Sequence, residues 1–202
     1  MRNIRNYAAM LMKSPHASAE LKGSDAYPNI HGTVRFYQMK NGVLIAAEIG
    51  GLPYFHGVCQ HPVFGFHIHD GSQCEGDLHD PFSGAMSHYN PKGCDHPFHA
   101  GDMPPLFSNH GCAFSVFLSD RFSLSEVIGK TVIIHGNPDD FITQPSGNSG
   151  FIFSRGLRSF CCRFFHGSGF YGIGFCLHSL NGIRFLFGRL SGVSLDFRSF
   201  QR

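Results

Sequence analysis

A turn-rich, all-β protein is the fold class predicted for these 202 residues, and three observations predict it. The chain is 42% hydrophobic and 15% charged, which argues against wholesale disorder. It carries 25 Gly and 11 Pro with no Trp, a poor composition for a helical bundle. Its apolar runs are short, rich in β-branched and aromatic residues, and bounded by turn signals.

Taken in order, residues 1–21 read as a polar leader without periodicity. Its start is basic, but the apolar stretch over 7–12 is shorter than the roughly 7–15 residues of a secretory h-region. A cytoplasmic location is therefore expected. From His31 the pattern becomes β. Residues 32–39 alternate loosely, Asn41-Gly42 supplies a two-residue hairpin turn, and 43–49 return as a more apolar strand. Residues 63–68, 112–118 and 131–134 read as further strands. Residues 70–102 between them are rich in Gly, Pro, Asp and His and show no period. An irregular loop that long inside a compact domain is expected to be functional.

Composition changes sharply after Gly150. Residues 1–150 hold 9 Lys and Arg against 13 Asp and Glu, whereas residues 151–202 hold 7 Arg, no Lys and a single acid, Asp196. The last 52 residues also contain 11 of the 22 Phe. A shift of this kind marks a boundary. Residues 164–183 carry no charge, but five Gly, two His and an Asn make a membrane helix a poor reading. The overall charge of +2 calls for neither nucleic acid nor membrane. Among the seven Cys no short-spaced pair suggests a zinc ribbon, and most are expected to be buried or free thiols.

Fourteen histidines point to chemistry. In Phe66-His67-Ile68-His69, alternation on a strand puts both imidazoles on one face, roughly 6–7 Å apart along it. His88, His96, His99 and Asp102 follow in the long loop, and His135 ends the apolar run 131–134. Three His and one carboxylate complete a closed tetrahedral zinc set. Four His in a flattened arrangement suit Cu²⁺. Seven candidates fill eight places if one ring serves two ions, and His88 is the natural candidate by position. A single zinc clamp on the loop is the alternative that spacing leaves open. His56, His61, His79 and His110 read as surface or loop residues.

The motifs Gly65-Phe-His-Ile-His69, Ser87-His-Tyr-Asn-Pro91, His96-Pro-Phe-His-Ala-Gly-Asp102, Gly129-Lys-Thr-Val-Ile-Ile-His135, Pro138-Asp-Asp140 and Gly147-Asn-Ser-Gly150 occur in one order. In that order the chain resembles the copper/zinc superoxide dismutases, bacterial type, from about Lys22 to Gly150. The resemblance implies an eight-stranded Greek-key β-barrel, an immunoglobulin-like sandwich with long metal-binding loops, over residues 22–158. It implies copper on His67, His69, His88 and His135, and zinc on His88, His96, His99 and Asp102. Asp139 is expected to bond a ligand histidine on each metal. His88 and His135 are the expected catalytic residues, copper the redox ion and zinc a structural one. Superoxide is the expected substrate, and a homodimer is compatible with the resemblance.

After Gly150 the resemblance stops. The family places a basic residue two positions on and a cysteine three further; here these are Ile152 and Arg155. Ile152 cannot attract an anion by charge, and Arg155 cannot accept the disulfide for which Cys74 is the matching partner. Arg155 or Arg158 for the charge, and Cys161 or Cys162 for the thiol, are disfavoured substitutes. Residues 151–157 read either as an imperfect closing strand or as the start of out-of-frame translation. The second reading is preferred, with residues 159–202 an aberrant tail outside the fold. A protein that binds copper and zinc with little dismutase activity is the competing function.

Overall fold

The computed structural model describes residues 4–55, 57, 62–76, 82–150 and 152–157, all within the body Met1–Phe165. His56, Cys59, His61, His79, Arg158, Cys161, Cys162 and the tail 159–202 lie outside the described residues. The architecture is all-β with minor helices. Its strands are β1 (Ala17–Gly23), β2 (His31–Met39), β3 (Gly42–Gly50), β4 (Val63–Phe64), β5 (Phe66–His69), β6 (Leu106–Phe107), β7 (Ala113–Ser119), β8 (Thr131–His135) and β9 (Ile152–Leu157). Among the described residues, two short α-helices, α1 (Ile4–Leu11) and α2 (Leu124–Val127), and a single 3₁₀ turn at Ser83–Ala85 complete it.

Seven strands form one sheet in the order β5-β8-β9-β1-β2-β3-β7, and β4 pairs with β6 in a separate ribbon. The expected all-β architecture is present. Among the described residues the hydrogen-bonded ladder stays open, with β5 and β7 at its two ends. The long loop takes up backbone groups at the β5 end: Ile68 N–H donates to Gly101 O at 2.9 Å, and Tyr89 N–H donates to Ile68 O at 2.8 Å.

Side-chain alternation builds the core. Val34 and Phe36 of β2 and Val43, Ile45, Ala47 and Ile49 of β3 point inward and are buried. The outward residues Tyr37, Met39, Leu44 and Ala46 form a second apolar layer against Tyr7, Met10 and Leu11 of α1. That layer explains why β3 reads as a nearly continuous apolar run. The hairpin turn is Lys40-Asn41, one residue earlier than expected, because Gly42 at φ 125° already pairs with Met39.

One further expectation changes. The leader is not featureless, since residues 4–11 are helical and β1 begins at Ala17, ahead of the boundary at 21. The inward row of β1 is Ala17, Ala19 and Leu21, too small a set of side chains to stand out by hydropathy. Of the two readings of 151–157, the closing strand is the one the backbone takes up over 152–157, which form β9. That strand pairs with β1 on one side and β8 on the other, so it occupies the middle of the sheet. His135 sits where β8 meets β9, opposite Ile152, with a register shift between Ile134 and His135.

Candidate metal centre

Backbone pairing carries the dispersed histidines to one place. His67 and His69 project from β5, flanking Ile68, which is fully buried. Because the loop pairs with the backbone of Ile68, isolated bridges set His88 beside His69 and Asp102 beside His67. The approach at Gly101 is so close that any Cβ would strike the carbonyl oxygen of Ile68, which accounts for glycine there. His135 arrives at the end of β8, its N–H donating to Gly65 O at 2.9 Å.

Seven residues then fall into two groups whose nitrogen and oxygen donor atoms lie within 4.8 Å of one another. His67, His69, His88 and His135 make the first, and His88, His96, His99 and Asp102 the second. All are buried, and His88 is common to both. The spatial grouping brings together every candidate ligand named from the sequence, with Asp139 alongside. His110, read as bland, packs edge-on against Tyr54 away from both groups.

Hydrogen bonds decide which nitrogen each ring presents. His67 Nε2–H donates to Asp139 Oδ2 at 2.8 Å, leaving Nδ1 bare. His69 Nδ1–H donates to the Met86 carbonyl at 2.8 Å, leaving Nε2 bare. His88 Nδ1 lies 2.8 Å from Asp102 Oδ1, so Nε2 faces the first group. His96 Nε2–H donates to Asp139 Oδ1 at 2.8 Å, leaving Nδ1 toward Asp102 Oδ2 at 3.1 Å. His135 Nδ1 faces the Gly150 carbonyl at 3.4 Å.

The result is a cluster of lone pairs that protein hydrogens do not satisfy. His67 Nδ1, His88 Nε2 and His96 Nδ1 are buried without a hydrogen-bond partner. His69 Nε2 and His135 Nε2 face each other at 3.2 Å. Buried acceptors converging in this way are costly unless a cation lies among them. Burial pushes the His67 ring down to about 4 against the opposing bond from Asp139, His69 to about 3 and His135 to about 2. Neutral rings with free lone pairs are what a metal requires. Burial alone would raise Asp102, but its bond from His88 and the surrounding imidazoles hold it below the usual carboxylate range.

The donor sets also fit particular ions. His99 Nδ1 and His88 Nδ1 stand 3.4 Å apart. Two nitrogens on a tetrahedral zinc, each about 2.0–2.1 Å from it, are separated by roughly 3.3–3.4 Å. Four imidazoles without a carboxylate suit copper. A cleft of about 1170 Å³ opens onto the centre, with His69, His88, His99 and His135 in its wall and Ile152 at its side. Among the described lining residues there is no Lys or Arg. Cys74, Cys94 and Cys112 are not joined to one another. No helix among the described residues is long and apolar enough to cross a membrane.

Sequence reasoning missed several supporting groups. The carbonyls of Met86 and Gly150 leave no trace in side-chain identity, and neither do the contacts of Arg121 and Gln144 with the loop. Gly147 had a signal, since it opens the last recognised motif. At φ +66° its Cα faces Asp139 and His96 so closely that a Cβ would collide with that carboxylate and approach His96 Nε2 to 2.7 Å.

Comparison with known proteins agrees with this arrangement. The copper/zinc superoxide dismutase (SODC) family matches residues 30–157. A copper-zinc superoxide dismutase 2 of Aquifex aeolicus is 29% identical over 161 residues, which cover 70% of this chain and 89% of that protein. The copper-zinc superoxide dismutase of Photobacterium leiognathi is 33% identical over 132 residues, covering 59% and 72% respectively. A crystal structure of a SOD-like protein from Bacillus subtilis superposes with a TM-score of 0.58 at 26% identity, covering 70% of this chain and 98% of that one. Copper and zinc are the family's metals, and both donor sets are intact in this chain. An all-β frame, two histidine-rich groups joined through His88, and a family match spanning both place the chain in the copper/zinc superoxide dismutase family.

Proposed function

We propose that the protein disproportionates superoxide, two superoxide anions and two protons giving O₂ and H₂O₂. The observation that supports this most directly is the position of His88, whose two ring nitrogens face different donor sets. In this reading His67, His69, His88 and His135 hold copper, and His88, His96, His99 and Asp102 hold zinc. Bound copper supplies the one-electron redox chemistry, which zinc lacks.

The chain's own residues orient and hold. Asp139 fixes the His67 and His96 rings through one carboxylate, and the Met86 carbonyl fixes His69. His88 keeps Nδ1 with Asp102, so Nε2 is the atom placed to carry a proton at the cleft. His135 lines the same wall, and both are the proposed catalytic residues. Tail residues 159–202 take no part in metal holding in this reading.

A second reading, a copper- and zinc-binding protein with little turnover, is favoured by one observation. Ile152 lines the cleft where the family resemblance calls for a cation, and no described residue of the lining replaces that charge. Steady-state superoxide consumption by the copper- and zinc-loaded protein decides between the two. A rate well above that of the same concentration of free copper supports the enzyme; an equal rate supports the metal-binding protein.

A further inference from the structure

The segment His96-Pro-Phe-His99 supplies two of the four zinc-set donors, yet it has no regular secondary structure. Side chains from two distant loops bind its backbone instead. Gln144, from the loop between β8 and β9, clamps His96 on both sides. His96 N–H donates to Gln144 Oε1 at 2.9 Å, and Gln144 Nε2 donates to His96 O at 2.8 Å. Arg121, just after β7, reaches the other end. Its Nη1 donates to Pro97 O at 2.8 Å and to His99 O at 3.2 Å.

We infer that Arg121 and Gln144 are positioning residues of the zinc set, which fix the backbone of His96–His99 so that both Nδ1 atoms stand ready for the ion. The inference rests on the zinc assignment above. Asp139 sets the rotation of the His96 ring through Nε2, but a ring is located only when its backbone is also held. Gln144 provides that second point from the same loop as Asp139. Arg121 adds a third from the opposite end, one nitrogen spanning two carbonyls and thereby setting their spacing. The His99 N–H is occupied by Asp102 Oδ2 at 3.0 Å, so the segment's polar groups turn inward to the set and outward to the two clamps. A donor set ordered before the ion arrives loses less conformational freedom on binding it, and binds more tightly.

The test uses the full chain stripped of metal and titrated with Zn²⁺ against a chromophoric chelator, with Co²⁺ absorption as a geometric probe. Arg121→Ala and Gln144→Ala are each expected to weaken Zn²⁺ about tenfold or more, the usual effect of losing an outer partner of a metal ligand. The Co²⁺ ligand-field bands should change, Cu²⁺ affinity of the zinc-free protein should hold within about twofold, and the metal-free melting temperature should stay unchanged. Arg121→Lys, which can still donate to both carbonyls, is expected to recover most of the lost affinity, and remains measurable should an alanine variant not fold. Zn²⁺ affinities within about twofold of the parent overturn the inference, as does a loss shared equally by Zn²⁺ and Cu²⁺ or one tracked by a fall in metal-free stability. A parent chain that takes up no Zn²⁺ overturns the zinc assignment itself, and this inference with it.

Discussion

Asp139 Oδ2 accepts a hydrogen bond from His67 Nε2 at 2.8 Å, and this contact determines that Nδ1 is the nitrogen His67 turns to the metal centre. The other oxygen of the same carboxylate does the equivalent for His96, also at 2.8 Å. An amide cannot do both, because its NH₂ would meet one ring N–H donor to donor. Asp139→Asn is therefore expected to weaken metal binding by about 10–100-fold at one set or both. Competition titrations with Cu²⁺ and Zn²⁺ read this directly, and unchanged affinities at both sets would remove Asp139 from the account.

Sharing of His88 separates a joined centre from two adjacent ones. His88→Ala takes a donor from each group, whereas His69→Ala touches the first alone. The first variant should lose affinity for both metals, the second for copper only, each by more than the roughly 10–100-fold seen for outer partners. Metal content after equilibrium dialysis distinguishes them. Full zinc retention by His88→Ala would contradict the shared ring.

The cleft wall offers a gain-of-function experiment. Ile152 is half-buried opposite His135, in the cleft that His88 also lines, and the described lining carries no cation. Ile152→Arg should raise the bimolecular rate with superoxide by about tenfold or more, since clefts with complementary charge speed association by that order. The increment should shrink as salt rises, because the Debye length falls to about 8 Å at physiological ionic strength. Stopped-flow rates at several salt concentrations test both parts. An increment that ignores salt would mean that charge is not what the position lacks.

Proton linkage gives the metal-free protein a characteristic acid response. Unfolded histidines take up protons near 6.5, while burial holds His67 neutral to about 4, His69 to about 3 and His135 to about 2. Between these limits the unfolded chain binds more protons, so stability must fall as pH drops from 6.5 toward 4. Asp139, kept ionised by N–H bonds from His67, His96 and Phe141 against the effect of burial, adds stability above 3.8 that is lost at lower pH. Melting temperature should therefore decline steadily below pH 6.5 without metal. A profile flat to pH 4.5 would show that these rings are not buried neutral.

Much of this centre is written locally, and the rest is not. His67 and His69 were legible because a strand with period two aims alternate residues at one face, and the buried run Thr131–Ile134 delivers His135 in the same way. Their convergence with His88 and Asp102 depends on a loop bonding to Ile68, a long-range pairing that spacing alone does not encode. Strand β1 escaped notice because its inward residues are mostly alanine, and α1 because its apolar residues gain meaning only against Tyr37 and Leu44. Helix α2 had a readable start, a Ser123–Glu126 capping box, but at four residues it lacks the length for a period. Strand β9 defied its composition: its backbone pairs with neighbours on both sides, and such pairing depends less on side-chain identity than a packed face does.

Gly147, in the loop after β8, ties the fold to the centre. Its φ of +66° is left-handed, and a Cβ there would run into Asp139 and lie 2.7 Å from His96 Nε2. Gly147→Ala thus combines a backbone cost of about 1–2 kcal/mol with displacement of the one carboxylate that serves both donor sets. Asp140 N–H also donates to Gly147 O at 2.9 Å, so the strain falls on the turn that presents Asp139. The expected outcome is a lower melting temperature together with weaker Zn²⁺ and Cu²⁺ binding. Gly93→Ala supplies the control, because that residue shares a positive φ of 61° but has open space around its Cα. It should lose stability alone. Equal metal affinities in the two alanine variants would show that the collision with Asp139 has no consequence for the centre.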